Sequence, residues 1–493
     1  MADIRFGTDG WRGVIADDFT FDNLRQVTEA AIPVFRRHGR SPLILVGYDR
    51  RFLSPAFADC VARILHSNGF HVRLASSPLP TPAVSVCVKE QHAAWGIVMT
   101  ASHNPALYNG FKIKDALGRS APPEITAEIE KHLSEQQAAS SKQGIPDHPA
   151  DVPSSPLAAR RSPIETFDYW PTYERFLKSR LDWSLLKRWK ASVVFDYLYG
   201  VGAGIPEQLL RGSALKIHSL HANHDVLFGG LHPEPIEAYL SDLKKEVRSR
   251  RAVAGVALDG DADRLGMVDE KGRYLTPHQV FPLLVLHCVE HKKWQGKIVQ
   301  SVSLGALGER IAQAYNLPFE EVPVGFKHIA ERMVKEDVLA GGEESGGYAV
   351  RGGIPERDGI LSGLLFLEML AVRRETPSQL LTDMERRFGR ARFKRVDFSL
   401  KQPITDKTAF ARQVTNGLPT RLLSQAIQEV RPSDGVKIIL QSGEWVLLRP
   451  SGTEPMLPTY AESDSWSRTD QLLGWARKSV QKMLQNTSND NPR

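Results

Sequence analysis

The chain has 493 residues, 42% of them hydrophobic and 24% charged, with a formal net charge of +6. That length is too great for one hydrophobic core and implies about three or four domains, and the composition is that of a soluble globular protein. The three cysteines, Cys60, Cys87 and Cys288, are far apart and lack metal-ligand spacing, which excludes a disulfide-framed fold and favours a reducing compartment.

Near the N-terminus, Met1-Ala2-Asp3-Ile4-Arg5 lacks a signal peptide's apolar centre, so the expected location is cytoplasmic. Phe6-Gly7-Thr8-Asp9-Gly10-Trp11-Arg12-Gly13 follows, rich in turn formers and carrying an arginine; such a segment is ordered only if something ties it down. Leu43 to Gly47 reads as a buried strand, with a helical pattern from Pro55 to Asn68 behind it. Ala93 to Met99 is a second apolar run of strand length, and Thr100-Ala101-Ser102-His103-Asn104-Pro105 comes next. Asn-Pro favours a turn, so Ser102 falls on a loop just past a strand, where catalytic residues are often presented. Adjacency of Ser102 and His103 does not make a dyad, because neighbouring side chains in extended chain face opposite ways. A serine bonding its own backbone fits the isolated motif as well.

Gln136 to Pro163 breaks the periodicity with Ala-Ala-Ser-Ser and several prolines, and reads as a long loop or linker. Strand-like Ser192 to Asp196 precedes a helical stretch, Ile205 to Leu210. Between them Gly200-Val201-Gly202-Ala203-Gly204 imitates a dinucleotide fingerprint, but Ile205 stands where the third glycine is required, so NAD binding is rejected. The run Val253 to Leu258 ends in Asp259-Gly260-Asp261-Ala262-Asp263-Arg264. Carboxylates at alternate positions can converge on one point, and their hard oxygens suit Mg²⁺ while leaving coordination positions for a phosphoryl oxygen. An EF-hand is a poor fit, since Lys271 stands where its bidentate glutamate belongs.

The apolar run from Val280 to Leu286 is too short to span a bilayer, so no membrane partner is expected. Gly341-Gly342-Glu343-Glu344-Ser345-Gly346-Gly347-Tyr348 offers carboxylates and a hydroxyl suited to sugar hydroxyls, although a plain glycine-rich turn fits equally. The basic stretch Arg386 to Arg395 reads as a solvated helix end entering a linker, and no nucleic-acid partner is expected. After the strand Trp445 to Leu448, the loop Arg449-Pro450-Ser451-Gly452-Thr453-Glu454-Pro455 has the chemistry of a phosphate cradle, with a hairpin turn as the alternative. The tail from Gln485 is polar and reads as frayed. Alternating strand and helix patterns argue for α/β domains with largely parallel strands.

Together and in this order, FGTDGWRG, TASHNP with Tyr108-Asn109-Gly110-Phe111-Lys112, DGDADR, GEESGG and RPSGTEP resemble the α-D-phosphohexomutase superfamily from Phe6 to about Glu462. Gly47-Tyr48-Asp49-Arg50-Arg51 and Gly325-Phe326-Lys327 also look like family segments. The resemblance implies four domains around a central cleft: three related α/β mixed-sheet domains at 1–163, 164–275 and 276–389, and a smaller α+β domain at 390–493. It implies a phosphorylated Ser102 that exchanges its phosphoryl group with a sugar monophosphate through a 1,6-bisphosphate. Ser102, Asp259, Asp261 and Asp263 would hold Mg²⁺. Arg12, His103, Lys112 and Lys327 would belong to the catalytic set, and Arg264, Gly325, Glu343, Ser345, Arg449, Ser451, Gly452 and Thr453 would bind substrate. Glucose 1,6-bisphosphate would serve as activator, and the protein would be a monomer or dimer. Glucose phosphate is the expected substrate, with mannose or glucosamine phosphate as alternatives and a non-catalytic phosphosugar-binding protein as the reading from another class. Two departures stand out: Gly347 where relatives often carry histidine, and Met456-Leu457-Pro458 where a basic residue is common.

Overall fold

Leu43-Ile44-Leu45-Val46 is apolar at every position, the pattern of a strand covered on both faces. In the computed structural model, which describes residues 4–7, 9–142, 164–451 and 454–489, the strand Leu43–Tyr48 is buried throughout. It pairs in parallel with His71–Ala75 on one side and Trp95–Met99 on the other. Tyr108–Asp115 runs antiparallel to Trp95–Met99, and Trp11–Val14 runs antiparallel to Tyr108–Asp115. With Glu165–Phe167 at the far edge this makes a six-stranded mixed sheet. Edge pairing is what ties down the N-terminal segment. Helices Phe21–His38, Ser54–Ser67 and Thr81–Glu90 bury Val27, Ala31, Phe57, Val61, Val84 and Val88, among others.

A five-stranded mixed sheet follows, ordered Tyr274–Leu275, Leu265–Asp269, Ala254–Leu258, Ser192–Asp196, Lys216–Leu220. These two sheets belong to one compact unit, residues 1–276 with 345–377. The second unit comprises residues 277–344 and 378–493. Its first part has the parallel strands Lys297–Ser301, Phe319–Val322 and Val338–Gly342 with helices Pro277–Glu290, Leu307–Ala314 and Phe326–Lys335. Its second part is a six-stranded sheet, antiparallel throughout, backed by helices Lys407–Asn416 and Trp466–Asn489 over a core that includes Val414, Ile438, Val446 and Leu472. Three α/β sheets and a C-terminal antiparallel one match the expected fold class.

Several local expectations change. The parallel expectation holds only in part: each of the two mixed sheets of the first unit is parallel toward one edge and antiparallel toward the other. Gln136–Lys142, assigned to a linker, continues the helix Pro123–Lys142, since helix-forming Ala, Glu, Gln and Lys outweigh the missing apolar stripe; residues 143–163 lie outside the described residues. The tail is helical to Asn489. In the basic stretch, Arg392 begins a strand, and Arg386, Arg392 and Lys394 pair with Asp383, Glu385 and Asp470. Among the described residues no helix is long and apolar enough to cross a membrane.

Gly110, inside the strand that carries Lys112, has no space for a side chain: a Cβ would lie 2.4 Å from the Thr100 carbonyl oxygen and 2.9 Å from that of Trp11. Because both obstacles are backbone, Gly110→Ala is expected to lower unfolding free energy by about 3 kcal/mol, the upper end of ordinary overpacking, as read from urea denaturation.

Candidate active site

The strand Trp95–Met99 delivers the chain into a tight turn, and Ser102 there takes a left-handed backbone, φ 51°. A non-glycine residue pays about 1–2 kcal/mol for that conformation, so the surroundings must hold it. Thr100 Oγ1 accepts from the Ser102 N–H at 2.9 Å. Arg51, wholly buried, does the rest. Its guanidinium donates to the carbonyls of Ser102 and Asn104 at 2.6 Å each, Pro105 at 2.8 Å and Tyr108 at 3.1 Å, while Nε faces Asp49 at 3.1 Å. Planar guanidinium donors in a fixed fork suit such a set of carbonyls. The Asp49-Arg50-Arg51 segment, singled out without a role, is thus a clamp on the Ser102 loop.

So held, Ser102 Oγ donates to Asp259 Oδ2 at 2.9 Å. His103 Nδ1 lies 3.4 Å from the same hydroxyl oxygen. Burial, with Arg264 and Arg12 beside it, pushes the His103 imidazole far below its ordinary range, so it is neutral.

Asp259, Asp261 and Asp263 leave the strand Ala254–Leu258 and are all buried, with carboxylate oxygens within 4.8 Å of one another. Burial and the neighbouring Asp263 and Asp261 carboxylates raise Asp259 well above the usual range. Asp261 Oδ2 accepts from Thr81 Oγ1 at 2.6 Å and Lys112 Nζ at 2.8 Å, whereas Asp261 Oδ1 and Asp263 Oδ1 have no hydrogen-bond partner. Two orphaned buried carboxylate oxygens in a cluster of three hard-oxygen groups fit a small divalent cation such as Mg²⁺. Close packing shapes this loop. A Cβ at Gly260 would meet the Ser102 carbonyl oxygen at 2.5 Å, and one at Gly200 would meet the carbonyls of Asp259 and Gly260 at 2.8 Å each. Gly200, in the run that imitated a nucleotide fingerprint, lets the aspartate loop pass.

Cations ring the carboxylates. Lys112 Nζ lies 2.7 Å from Asp9, 2.8 Å from Asp261 and 3.4 Å from Asp263. Burial disfavours its charge, but Asp261, Asp9 and Asp263 prevail and raise its pKa above the ordinary lysine value. Arg12 donates to Asn104 Oδ1 at 2.7 Å, and the Arg264 N–H donates to Asp259 Oδ1 at 3.0 Å. Two members escaped the sequence analysis. Asp9 is only 11% exposed, yet Lys112, Arg357, Lys114 and Arg12 outweigh the cost of that shielding and hold its carboxyl well below the usual range. Arg357 reaches Asp9 at 2.7 Å and Asp263 at 2.8 Å. It also explains Gly347: a Cβ there would lie 2.3 Å from Arg357 Cδ, so the arginine stem fills the space a side chain would need.

Ser345 belongs to the same unit, its buried hydroxyl without a hydrogen-bond partner. The remaining predicted residues belong to the second unit. Glu343 Oε1 accepts from the Gly325 N–H at 2.8 Å. Lys327 sits half-buried in the first turn of the helix Phe326–Lys335. Arg449 Nε meets Asp434 at 2.6 Å, and Ser451 Oγ accepts from the Glu454 N–H at 3.1 Å. Gly452 and Thr453 lie outside the described residues.

Family models match four stretches: phosphoglucomutase/phosphomannomutase alpha/beta/alpha domain I over residues 3–140, domain II over 171–272, domain III over 276–388, and the C-terminal domain over 405–474. The phosphoglucomutase/phosphomannomutase of Thermococcus kodakarensis is 28% identical over 481 residues, covering 97% of this chain and 99% of that one. The phosphoglucosamine/phosphogalactosamine mutase of Sulfurisphaera tokodaii is 29% identical over 477 residues, covering 97% and 99%. A solved structure, described as a "putative phosphomannomutase" from Thermus thermophilus, superposes with a TM-score of 0.81 at 33% identity and covers 97% of this chain and 99% of that one. Fold and relatives together define an enzyme of the phosphohexomutase class, an isomerase. The chain belongs to the phosphoglucomutase/phosphomannomutase family.

If the three aspartates hold Mg²⁺, the ion at about 100 times its dissociation constant is expected to stabilise the wild type by about 2.7 kcal/mol. Asp261→Asn is expected to bind it at least tenfold more weakly. Differential scanning fluorimetry and calorimetric titration read both effects without substrate; equal Mg²⁺ affinity in the two proteins would remove Asp261 from the metal site.

Proposed function

We propose that the enzyme interconverts glucose 1-phosphate and glucose 6-phosphate through a phosphorylated Ser102, with glucose 1,6-bisphosphate as intermediate and activator. The observation that carries the reading is the 2.9 Å hydrogen bond from Ser102 Oγ to a carboxylate of the buried aspartate cluster. A nucleophile for acyl chemistry needs a basic partner, and the neutral His103 is no more than an edge neighbour at 3.4 Å. A hydroxyl set against three clustered carboxylates suits phosphorus.

In the first transfer the Ser102 Oγ–P bond breaks, phosphorus bonds to the free hydroxyl oxygen of the bound monophosphate, and the proton that hydroxyl gives up ends on Ser102 Oγ. After the bisphosphate turns over, the other phosphoryl group returns to Ser102 Oγ. Asp259, Asp261 and Asp263 would hold a divalent cation, which would supply charge neutralisation at the transferring group. Arg12 and Arg264 add positive field from the protein side. Lys112, committed as an ammonium to Asp9, Asp261 and Asp263, acts in this reading through its charge. Glu343 and Ser345 would grip sugar hydroxyls, and Arg449 with Ser451, Gly452 and Thr453 would hold the phosphate that is not reacting.

The FGTDGWRG and GEESGG loops support glucose. A second reading, glucosamine phosphate, is supported by relatives named phosphoglucosamine mutase, among them that of Marinobacter nauticus, and a carboxylate such as Glu343 suits an ammonium at C2. Mannose phosphate differs from glucose phosphate only in the orientation of the 2-hydroxyl, which few contacts read.

Ser102→Ala is expected to abolish turnover and to remove one phosphate, about 80 Da, from the intact-protein mass spectrum. Substantial mutase activity in that variant would falsify the phosphoserine route. Side-by-side kcat/KM values for glucose, mannose and glucosamine phosphates, each with its own bisphosphate, decide the substrate; glucose is expected to lead.

A further inference from the structure

Arg449 has two edges at which it can meet an anion: the Nε–Nη edge and the edge formed by both Nη groups. Asp434 occupies the first, its Oδ2 accepting from Arg449 Nε at 2.6 Å. The same oxygen accepts from the Val324 N–H at 3.2 Å, and the next amide, Gly325, donates to Glu343 Oε1 at 2.8 Å. Successive amides of one loop therefore hold two carboxylates, one beside Arg449 and the other on the sugar loop. Gly325, at φ 127°, permits a backbone that suits few other residues. Asp434 Oδ1 takes Lys407 Nζ at 3.1 Å, so both carboxylate oxygens are engaged.

The turn that carries Asp434 is fixed just as closely. Gly435 has φ 98°, and a Cβ there would lie 2.2 Å from the Leu448 carbonyl oxygen and 2.8 Å from Arg449 Cα. Asp434 thus rides on a turn pressed against the backbone of the arginine it orients. Its side chain is only 9% exposed, and a charge-assisted contact sheltered from water is stronger than the same contact in solvent.

We propose that Asp434 is a positioning residue that fixes the Arg449 guanidinium with its Nη edge toward the substrate phosphate and links it, through the 324–325 amides, to Glu343. The link makes the grip on phosphate and the placement of the sugar-binding carboxylate one cooperative unit. This rests on the reading of Arg449 as a phosphate contact.

The test is steady-state kinetics with glucose 1-phosphate on wild type, Asp434→Ala, the isosteric Asp434→Asn, Arg449→Ala and the Asp434→Ala/Arg449→Ala double variant, each with its melting temperature. Asp434→Ala and Asp434→Asn are expected to raise KM about tenfold with kcat within about threefold of wild type. The double variant is expected to be no worse than Arg449→Ala alone, because Asp434 acts through that arginine. An unchanged KM in Asp434→Asn, or losses that multiply in the double variant, would overturn the positioning role. An unchanged KM in Arg449→Ala would instead overturn the phosphate role of Arg449, and failure of the wild type to turn over glucose 1-phosphate would overturn the functional reading. Should Asp434→Ala fold poorly, Asp434→Asn alone decides through its KM-to-kcat split.

Discussion

Three carboxylates crowded into a buried space the breadth of one ion repel each other, and that repulsion organises the first unit. An unpaired buried charge is costly enough that proteins neutralise it or pair it. Here Lys112 and Arg357 each bridge to Asp263 and to Asp9. The pairing continues through Lys114, which meets Glu356 at 2.5 Å while Ser120 bonds both Asp9 and Glu356. A divalent cation held by Asp259, Asp261 and Asp263 would complete the balance. Such a network contributes less to net stability than to holding each charge in one place.

That fixity is what a phosphoryl-transfer site requires, because little covalent work falls to the protein beyond position and field. Ser102 is strained at its own backbone and restrained by Thr100, Arg51 and Asp259 together. The glycines at 110, 200 and 260 serve the same end by negative means: each lets one backbone approach another more closely than any side chain would allow. In the second unit the same device recurs at Gly435, which lets the turn carrying Asp434 lie against the backbone of Leu448 and Arg449.

Much of this was legible in the chain. Continuous apolar runs such as Leu43 to Val46 and Ala254 to Leu258 announce strands covered on both faces, because burial is a local pattern. The alternation Asp-x-Asp-x-Asp after one of them announces a convergence of oxygens, which the folded loop bears out. The helix Pro123–Lys142 shows the limit of periodicity, since helix propensity carried it past the point where the apolar stripe fades.

What the sequence alone determined was therefore the succession of elements and the loops that carry chemistry, because both follow from neighbours a few residues apart. Only the tertiary structure decided which charges share a space. Asp9, Arg51, Arg357 and Asp434 look in the sequence like ordinary polar residues beside turns. Their partners stand far off: Asp9 and Arg357 are 348 positions apart, Arg51 and Ser102 are 51, and Asp434 and Val324 are 110. No local pattern encodes such pairings. They arise when sheet topology brings loop ends together and burial then leaves each charge no water to face, only the opposite charge delivered from elsewhere in the chain.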